Sequence, residues 1–314
     1  MSPLPCTRSN PSRPCRRLPA GVTLPAVLLA VALGATAPVR ADEGLAAPAP
    51  GLSQPAEGGF SYFVGMAWQR SRYRETAAAV PVRSEATSGS PLLVTGALYA
   101  VTPDWLASLD NETTFAPSTV TETWNATAPT VAGTTLSSPV LQTNQFRFSD
   151  TVTRVLAHRR MQDQWFALGG LALRSQSFRR FGYVAGPDGL VTVTPGQTTE
   201  ETQAEVLLQF GAALESETLR GRTQHYGVRV LAGVPVWRRV ENTAFAQTRF
   251  DRLGGWDLTV EARYSRALSR DVQLGGWLKL SQSSRPGQSA AGGIELPRHR
   301  LGQMALGAEL LWKL

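Results

Sequence analysis

FSYFVGMAWQRSRY, residues 60–73, sets Phe60, Tyr62, Val64, Met66 and Trp68 on one side of an extended chain. Ser61, Gly65, Ala67, Gln69 and Ser71 fall on the other side, with Phe63 among them. Period two with unlike faces marks a strand lying between two different surroundings. The pattern returns at Val206-Leu208-Phe210-Ala212, along Tyr226 to Val236 opposite Arg229, and at Trp256-Leu258-Val260-Ala262-Tyr264. Ten strands are expected, near 60–74, 91–100, 105–115, 144–156, 164–178, 201–214, 223–237, 255–266, 272–283 and 301–314. Long connections (75–90, 116–143, 179–200, 238–254, 284–300) alternate with short ones (101–104, 157–163, 215–222, 267–271), as in a meander with tight turns at one end.

The chain has 314 residues and a formal net charge of +7. Residues 1–41 hold Arg8, Arg13, Arg16, Arg17 and Arg40 and no acid, followed by an apolar run from Val22 to Ala37 and the end Val39-Arg40-Ala41. A basic segment, a short apolar segment and a small residue before the cut describe a cleaved secretory signal peptide. A membrane anchor needs about 20 apolar residues, and Pro25 interrupts this run. Cleavage after Ala41 leaves 42–57, rich in Ala, Pro and Gly, as a flexible periplasmic lead-in, and 58–314 as the folded domain. Removing the five leader arginines takes 31 basic residues to 26 against 24 acidic, so the basicity is the leader's and no nucleic-acid partner is expected. Cys6 and Cys15 both precede the cut, which excludes disulfides, thiolate chemistry and a cysteine lipid anchor from the processed chain.

The rhythm of short turns and long loops resembles the bacterial outer-membrane β-barrels, whose short turns face the periplasm and long loops the outside. At the C-terminus Leu306, Ala308, Leu310, Trp312 and Leu314 alternate with Ala305, Gly307, Glu309, Leu311 and Lys313. Leu310, Trp312 and Leu314 resemble the terminal signal read by the barrel-insertion machinery; the class usually ends in Phe or Trp, where this chain has Leu314. The resemblance implies an all-β, transmembrane antiparallel up-and-down β-barrel of about ten strands in the cell outer membrane. Twelve strands are the alternative if 118–124 or 190–195 pairs as an extra hairpin. In hydrocarbon every backbone N–H and C=O must be paired within the protein, so only helices and closed barrels span. A soluble periplasmic β-barrel binding protein, its apolar faces turned inward, is the competing reading.

Opposite the apolar positions stand Asp110, Glu112, Glu201, Glu205, Arg229, Asp257, Glu261, Arg263, Lys279 and Glu309. A ten-stranded barrel is narrow, so these mixed charges either satisfy one another or line a slender polar passage. In 144–156, Asp150 and Arg154 share a side with Phe146, Phe148, Val152 and Leu156, which implies a bulge or positions above and below the apolar band. Arginines gather where strands meet the long loops: Arg70, Arg72, Arg74, Arg179, Arg180, Arg238, Arg239, Arg298 and Arg300. Guanidinium pairs two-pronged with phosphate, so lipopolysaccharide phosphates are the ligand expected for part of this set, with solvated loop arginines as the alternative. Tyr62, Tyr99, Trp105, Trp165, Tyr226, Tyr264 and Trp312 mark an aromatic girdle on the short-turn side, whereas Trp237 and Trp277 fall on polar faces.

Some barrels of this class are enzymes. The omptin-like proteases use paired acids with an Asp-x-His element and the barrel phospholipases use His-x-Ser; neither occurs around His158, His225 or His299, the only histidines. Asp110 and Glu112 form a carboxylate pair without a neighbouring base. No metal-ligand spacing, P-loop or dinucleotide fingerprint is present, so neither metal nor cofactor is expected. The reading is a non-catalytic outer-membrane barrel, acting as a narrow channel or export component or as a structural or surface-binding barrel. A barrel enzyme, protease or lipid-modifying, is the alternative. Outer-membrane lipid, lipopolysaccharide and the insertion machinery are the expected partners.

Overall fold

A computed structural model describes residues 59–77, 80–162, 164–215, 224–290 and 294–314; the signal peptide and lead-in expected over 1–57 lie outside them. The strands are β1 (Phe60–Thr76), β2 (Val82–Thr102), β3 (Trp105–Thr114), β4 (Thr119–Ala126), β5 (Thr130–Val131), β6 (Thr134–Thr135), β7 (Val140–Gln162), β8 (Trp165–Ala185), β9 (Thr198–Glu215), β10 (Gln224–Asn242), β11 (Trp256–Ala267), β12 (Val272–Arg285), β13 (Gln288–Ser289), β14 (Glu295–Leu296) and β15 (Arg298–Lys313). Every pairing is antiparallel. β1 pairs with β2 on one side and with β15 on the other, from Ser61–Lys313 to Thr76–Arg298, which closes the sheet and leaves it no free edge.

The ring runs β1, β2, β3 with β4, β7, β8, β9, β10, β11, β12, β15: ten staves, one of them broken. β4 is not the start of an extra hairpin. It continues β3 in the same direction, pairing with the upper parts of β2 and β7 as β3 pairs with their lower parts. Between the Leu92–Thr114 and Glu85–Thr123 pairs β2 advances seven residues and its partner nine. The break at 115–118 contains Pro117 and lies opposite Pro91, and neither proline has an N–H to give a ladder. Ser90 and Ser118 bridge the gap, each hydroxyl accepting from the other strand's backbone. Residues 190–195 form no strand, so the twelve-stranded alternative is excluded.

Strands outrun their expected limits at the long-loop end. β2 begins at Val82, within a stretch read as loop, and β1 and β2 are joined by 77–81 alone. The first β2 residues, RSEATSGS, alternate small polar residues inward: Ser84, Ser88 and Ser90 are buried. β10 carries a bulge between Pro235 and Trp237. Val236 and Trp237 therefore both face out, Trp237 at 49% exposure, and the expectation that Trp237 faces the polar side is corrected. Trp277 does face inward, where Gly307 on β15 lets the indole lie flat: a Cβ there would stand 2.7 Å from the ring.

Candidate functional site

Along eight of the ten staves the two faces separate by chemistry. Outward, the positions between the two strand ends are apolar and open, from Val64, Met66 and Trp68 on β1 to Leu306 and Leu310 on β15. Inward, charge and aromatic rings are interleaved. All ten residues expected in the lumen point inward; eight are buried, and Arg229 and Arg263 are partly exposed.

Among the described residues five ion pairs reach across the bore, and the others join the same or nearby staves. Near the short-turn end Arg229 on β10 donates to Asp110 on β3 (2.7 Å) and to Glu261 on the neighbouring β11 (3.0 Å). Arg263 contacts Glu261 and Glu309. Next, Glu112 on β3 accepts from Arg154 of the adjacent β7 (2.6 Å) and from Lys279 on β12, four staves away. Above them Arg174 joins Glu205 to Asp257 (3.4 and 2.7 Å), and Gln303 on β15 donates to Asp150 on β7 (3.2 Å). Arg285 on β12 holds Glu201 on β9 (2.7 Å). At the long-loop end Arg180 on β8 grips Glu75 on β1 (3.0 Å) and Glu122 on β4 (2.7 Å), while the Tyr73 hydroxyl donates to Glu75. A buried charge is tolerated only when paired and hydrogen-bonded, and here several partners stand on the far wall while the rest stand on the same or a nearby stave.

Apolar side chains fill the gaps between these braces. Leu106, Leu156, Phe166, Leu168 and Leu231 cluster toward the short turns, and Tyr73, Phe146, Phe148, Phe178 and Leu301 toward the long loops. Phe146 and Phe178 stack around Tyr73, with Arg180 over the Tyr73 and Phe146 rings. A cavity of about 10 Å³ among Arg174, Glu205, Arg238, Asp257, Arg285 and His299 is about the size of one water.

Several expectations change. Asp150 and Arg154 do not sit above and below an apolar band, and no bulge interrupts β7 between Gln145 and Arg160. The whole face Phe146, Phe148, Asp150, Val152, Arg154, Leu156 is buried in the lumen, because those aromatics are bore filling rather than lipid contacts. Arg180 and Arg238 are not rim residues. Adjacent residues of a strand point opposite ways, so Arg179 faces out and Arg180 in. The β10 bulge likewise turns Arg238 inward onto Glu205 (2.8 Å) and leaves Arg239 outside.

The outward arginines are not spread evenly. Arg70, Arg72 and Arg74 of β1, Arg298 and Arg300 of β15, and Arg83 of β2, which the sequence reading omitted, share three adjoining staves. Arg74 is the register partner of Arg300 on one side and of Glu85 on the other. Glu85 takes both Arg72 (2.5 Å) and Arg74 (3.1 Å). Six cations thus share this patch with one carboxylate, which Arg72 and Arg74 contact, above Trp68 and Leu306 of the apolar band. Period-two parity on 82–90 was the signal that would have added Arg83.

Two histidine contacts were invisible in local spacing. His158 lies 2.9 Å from the Ser108 hydroxyl across β3 and β7, and His225 lies 2.9 Å from Glu215 across β10 and β9. Among the described residues no carboxylate is hydrogen-bonded to the His158 imidazole to orient it, and the strand amides around the Ser108–His158 bond are engaged in the ladder. His299 is buried against Tyr73 and Phe178. Among the described residues no three His, Cys, Asp or Glu side chains gather as a metal site. Leu310, Trp312 and Leu314 share the outward parity of the last stave, and Trp312 stacks on Tyr62 at 5.0 Å, at the seam.

The outer membrane protease OmpT from Escherichia coli has a similar structure, with a TM-score of 0.59 over 82% of this chain and 97% of that one, at 7% sequence identity. The fold is that of a bacterial outer-membrane β-barrel. The translocator domain of autotransporter NalP from Neisseria meningitidis also matches, with a TM-score of 0.38, 8% identity and 82% and 88% of the two chains covered. The toluene transporter TodX from Pseudomonas putida matches at 0.29, with 9% identity and 83% and 93% covered. No family model matches the sequence, and no curated protein does.

Proposed function

We propose that the chain is an outer-membrane barrel without catalysis of its own, closed to solutes along its axis and working at its outer rim as a structural, surface-binding barrel. The supporting observation is the set of ion pairs that cross the bore at successive heights, with aromatic and aliphatic side chains between them. The exposed apolar belt supports the membrane setting, because a soluble domain seldom shows so large a continuous apolar surface. The termini and tight turns face the periplasm in this reading, the long loops face outward, and the last stave is read by the insertion machinery.

At the rim, the arginine patch on β15, β1 and β2 engages lipopolysaccharide phosphates. Arg74 opposite Arg300 is unfavourable in water alone, and an anion bridging them relieves the repulsion. The test is lipopolysaccharide retained through purification. Replacing Arg70, Arg72, Arg74 and Arg300 with Gln is expected to lower it severalfold, with little change for Arg239→Gln, whose side chain pairs with Glu241. Equal retention in both would end this reading.

A further inference from the structure

One sector of the outer face breaks the apolar belt. On β3 and β7 its middle is Asn111, Thr113, Thr151 and Thr153, all half-buried and pointing outward. Asn111 lies six residues above Trp105 and four below Phe115, both exposed aromatics. At about 3.3 Å per residue and a tilt near 40°, that is about 15 Å above the aromatic level, inside an apolar band about 25 Å tall. At comparable depth the far side of the barrel shows Val230, Val260, Leu278 and Leu306, between 38% and 67% exposed.

The four side chains form a ladder. Asn111 Nδ2 donates to Thr153 Oγ1 (2.8 Å), and the Thr113 hydroxyl is shared between Asn111 Oδ1 and Thr151 Oγ1, both at 3.3 Å. Thr113 has one hydrogen, which serves the Asn111 oxygen, and Thr151 gives its own to Thr113. The Thr153 hydroxyl hydrogen and the second Asn111 amide hydrogen remain to be given, and lipid tails offer nothing to receive them.

We propose that this face of β3 and β7 is the contact between two copies of the chain standing side by side in the membrane. The ladder carries no charge, so it asks for no oppositely charged partner. Amides and hydroxyls each give and accept, so the patch complements its own image across a two-fold axis along the membrane normal, as an isologous interface requires. Leu93, Val155, Leu171 and Leu173, between 40% and 55% exposed, border it and pack around the polar centre. The inference rests on the membrane reading proposed above.

The test uses the full chain in dilute liposomes containing lipopolysaccharide, after the gel shift between boiled and unboiled samples has established a closed barrel. Subunits are counted by single-molecule photobleaching. The wild type is expected to bleach mainly in two steps. The double variant Asn111→Leu, Thr153→Val should keep its gel shift and associate about tenfold more weakly. Thr153→Cys should give an oxidised cross-linked dimer and Val230→Cys should not, which keeps the proposal testable if the double variant misfolds. A wild type with a normal gel shift but single-step bleaching overturns the interface alone. So does equal cross-linking through Val230→Cys, or capture of a different protein through Thr153→Cys in native membranes. A wild type without any gel shift overturns the membrane reading, and the interface with it.

Discussion

On β15, Leu306 is 67% exposed and Glu309, three residues on, is 3% exposed; the outer and inner faces of one strand obey opposite rules. A soluble domain would exchange them. In the membrane reading proposed above, the outside faces a solvent that cannot hydrogen-bond, and outside the β3–β7 sector its middle is apolar. The inside is a small core that has to satisfy mostly buried charges, and it does so both along the wall and by reaching across the bore. The five pairs that cross the bore both satisfy charges and span the lumen, so in the proposed reading stability and closure have one cause.

The inner side of this comparison breaks first at Glu112, which serves both Arg154 and Lys279. Glu112→Ala leaves two buried cations unpaired and is expected to cost about 3–5 kcal/mol. Replacing all three residues with leucine should cost less than the single change. Urea unfolding from lipid vesicles measures both. The outer side breaks next. Leu306→Arg, in the middle of the belt, is expected to cost about 2–4 kcal/mol in the same assay, whereas an inward-facing belt would make Leu306 a water-exposed site with little response.

A spectroscopic contrast sharpens the division without destabilising it. In variants retaining one tryptophan, brominated lipid should quench Trp68 strongly and spare Trp277, which is 4% exposed and faces the lumen. The smallest effect is in the loops, where Asp188 accepts from the Ser137 hydroxyl (2.5 Å) and from the Ser137 and Ser138 amides. Those bonds hold its carboxyl below the usual carboxylate range. With the folded value depressed, the clamp is fully present above about pH 4 and is lost as pH falls through the lower folded value. Asp188→Asn should abolish that pH dependence, read as hydrogen exchange at the Ser137 and Ser138 amides.

Much of the wall was legible because lipid and lumen impose different chemistry on alternate residues, as Phe60 to Trp68 show. Legibility stops where that difference stops. From Arg83 to Ser90 both sides of the wall are mostly polar, with Ala86 the one apolar side chain, so the alternation is faint and the strand reads as loop. At Trp237 one extra residue reverses the parity of Arg238, and nothing in the local composition announces it. Phe146, Phe148 and Phe178 mislead in another way: in a bore this narrow, aromatics serve inside as well as outside. Which residues face the lumen followed from parity. Which charge meets which did not, since Lys279 and Glu112 are 167 residues apart in the chain and meet only after closure.

Conductance in a planar bilayer tests the central claim most directly. Wild-type barrel inserted under conditions in which Glu112→Ala and Arg174→Ala also insert is predicted to show no stable single-channel steps, with small or flickering currents appearing in the two variants. Steady open steps in the wild type, unchanged by either substitution, would contradict a bore closed by its own ion pairs.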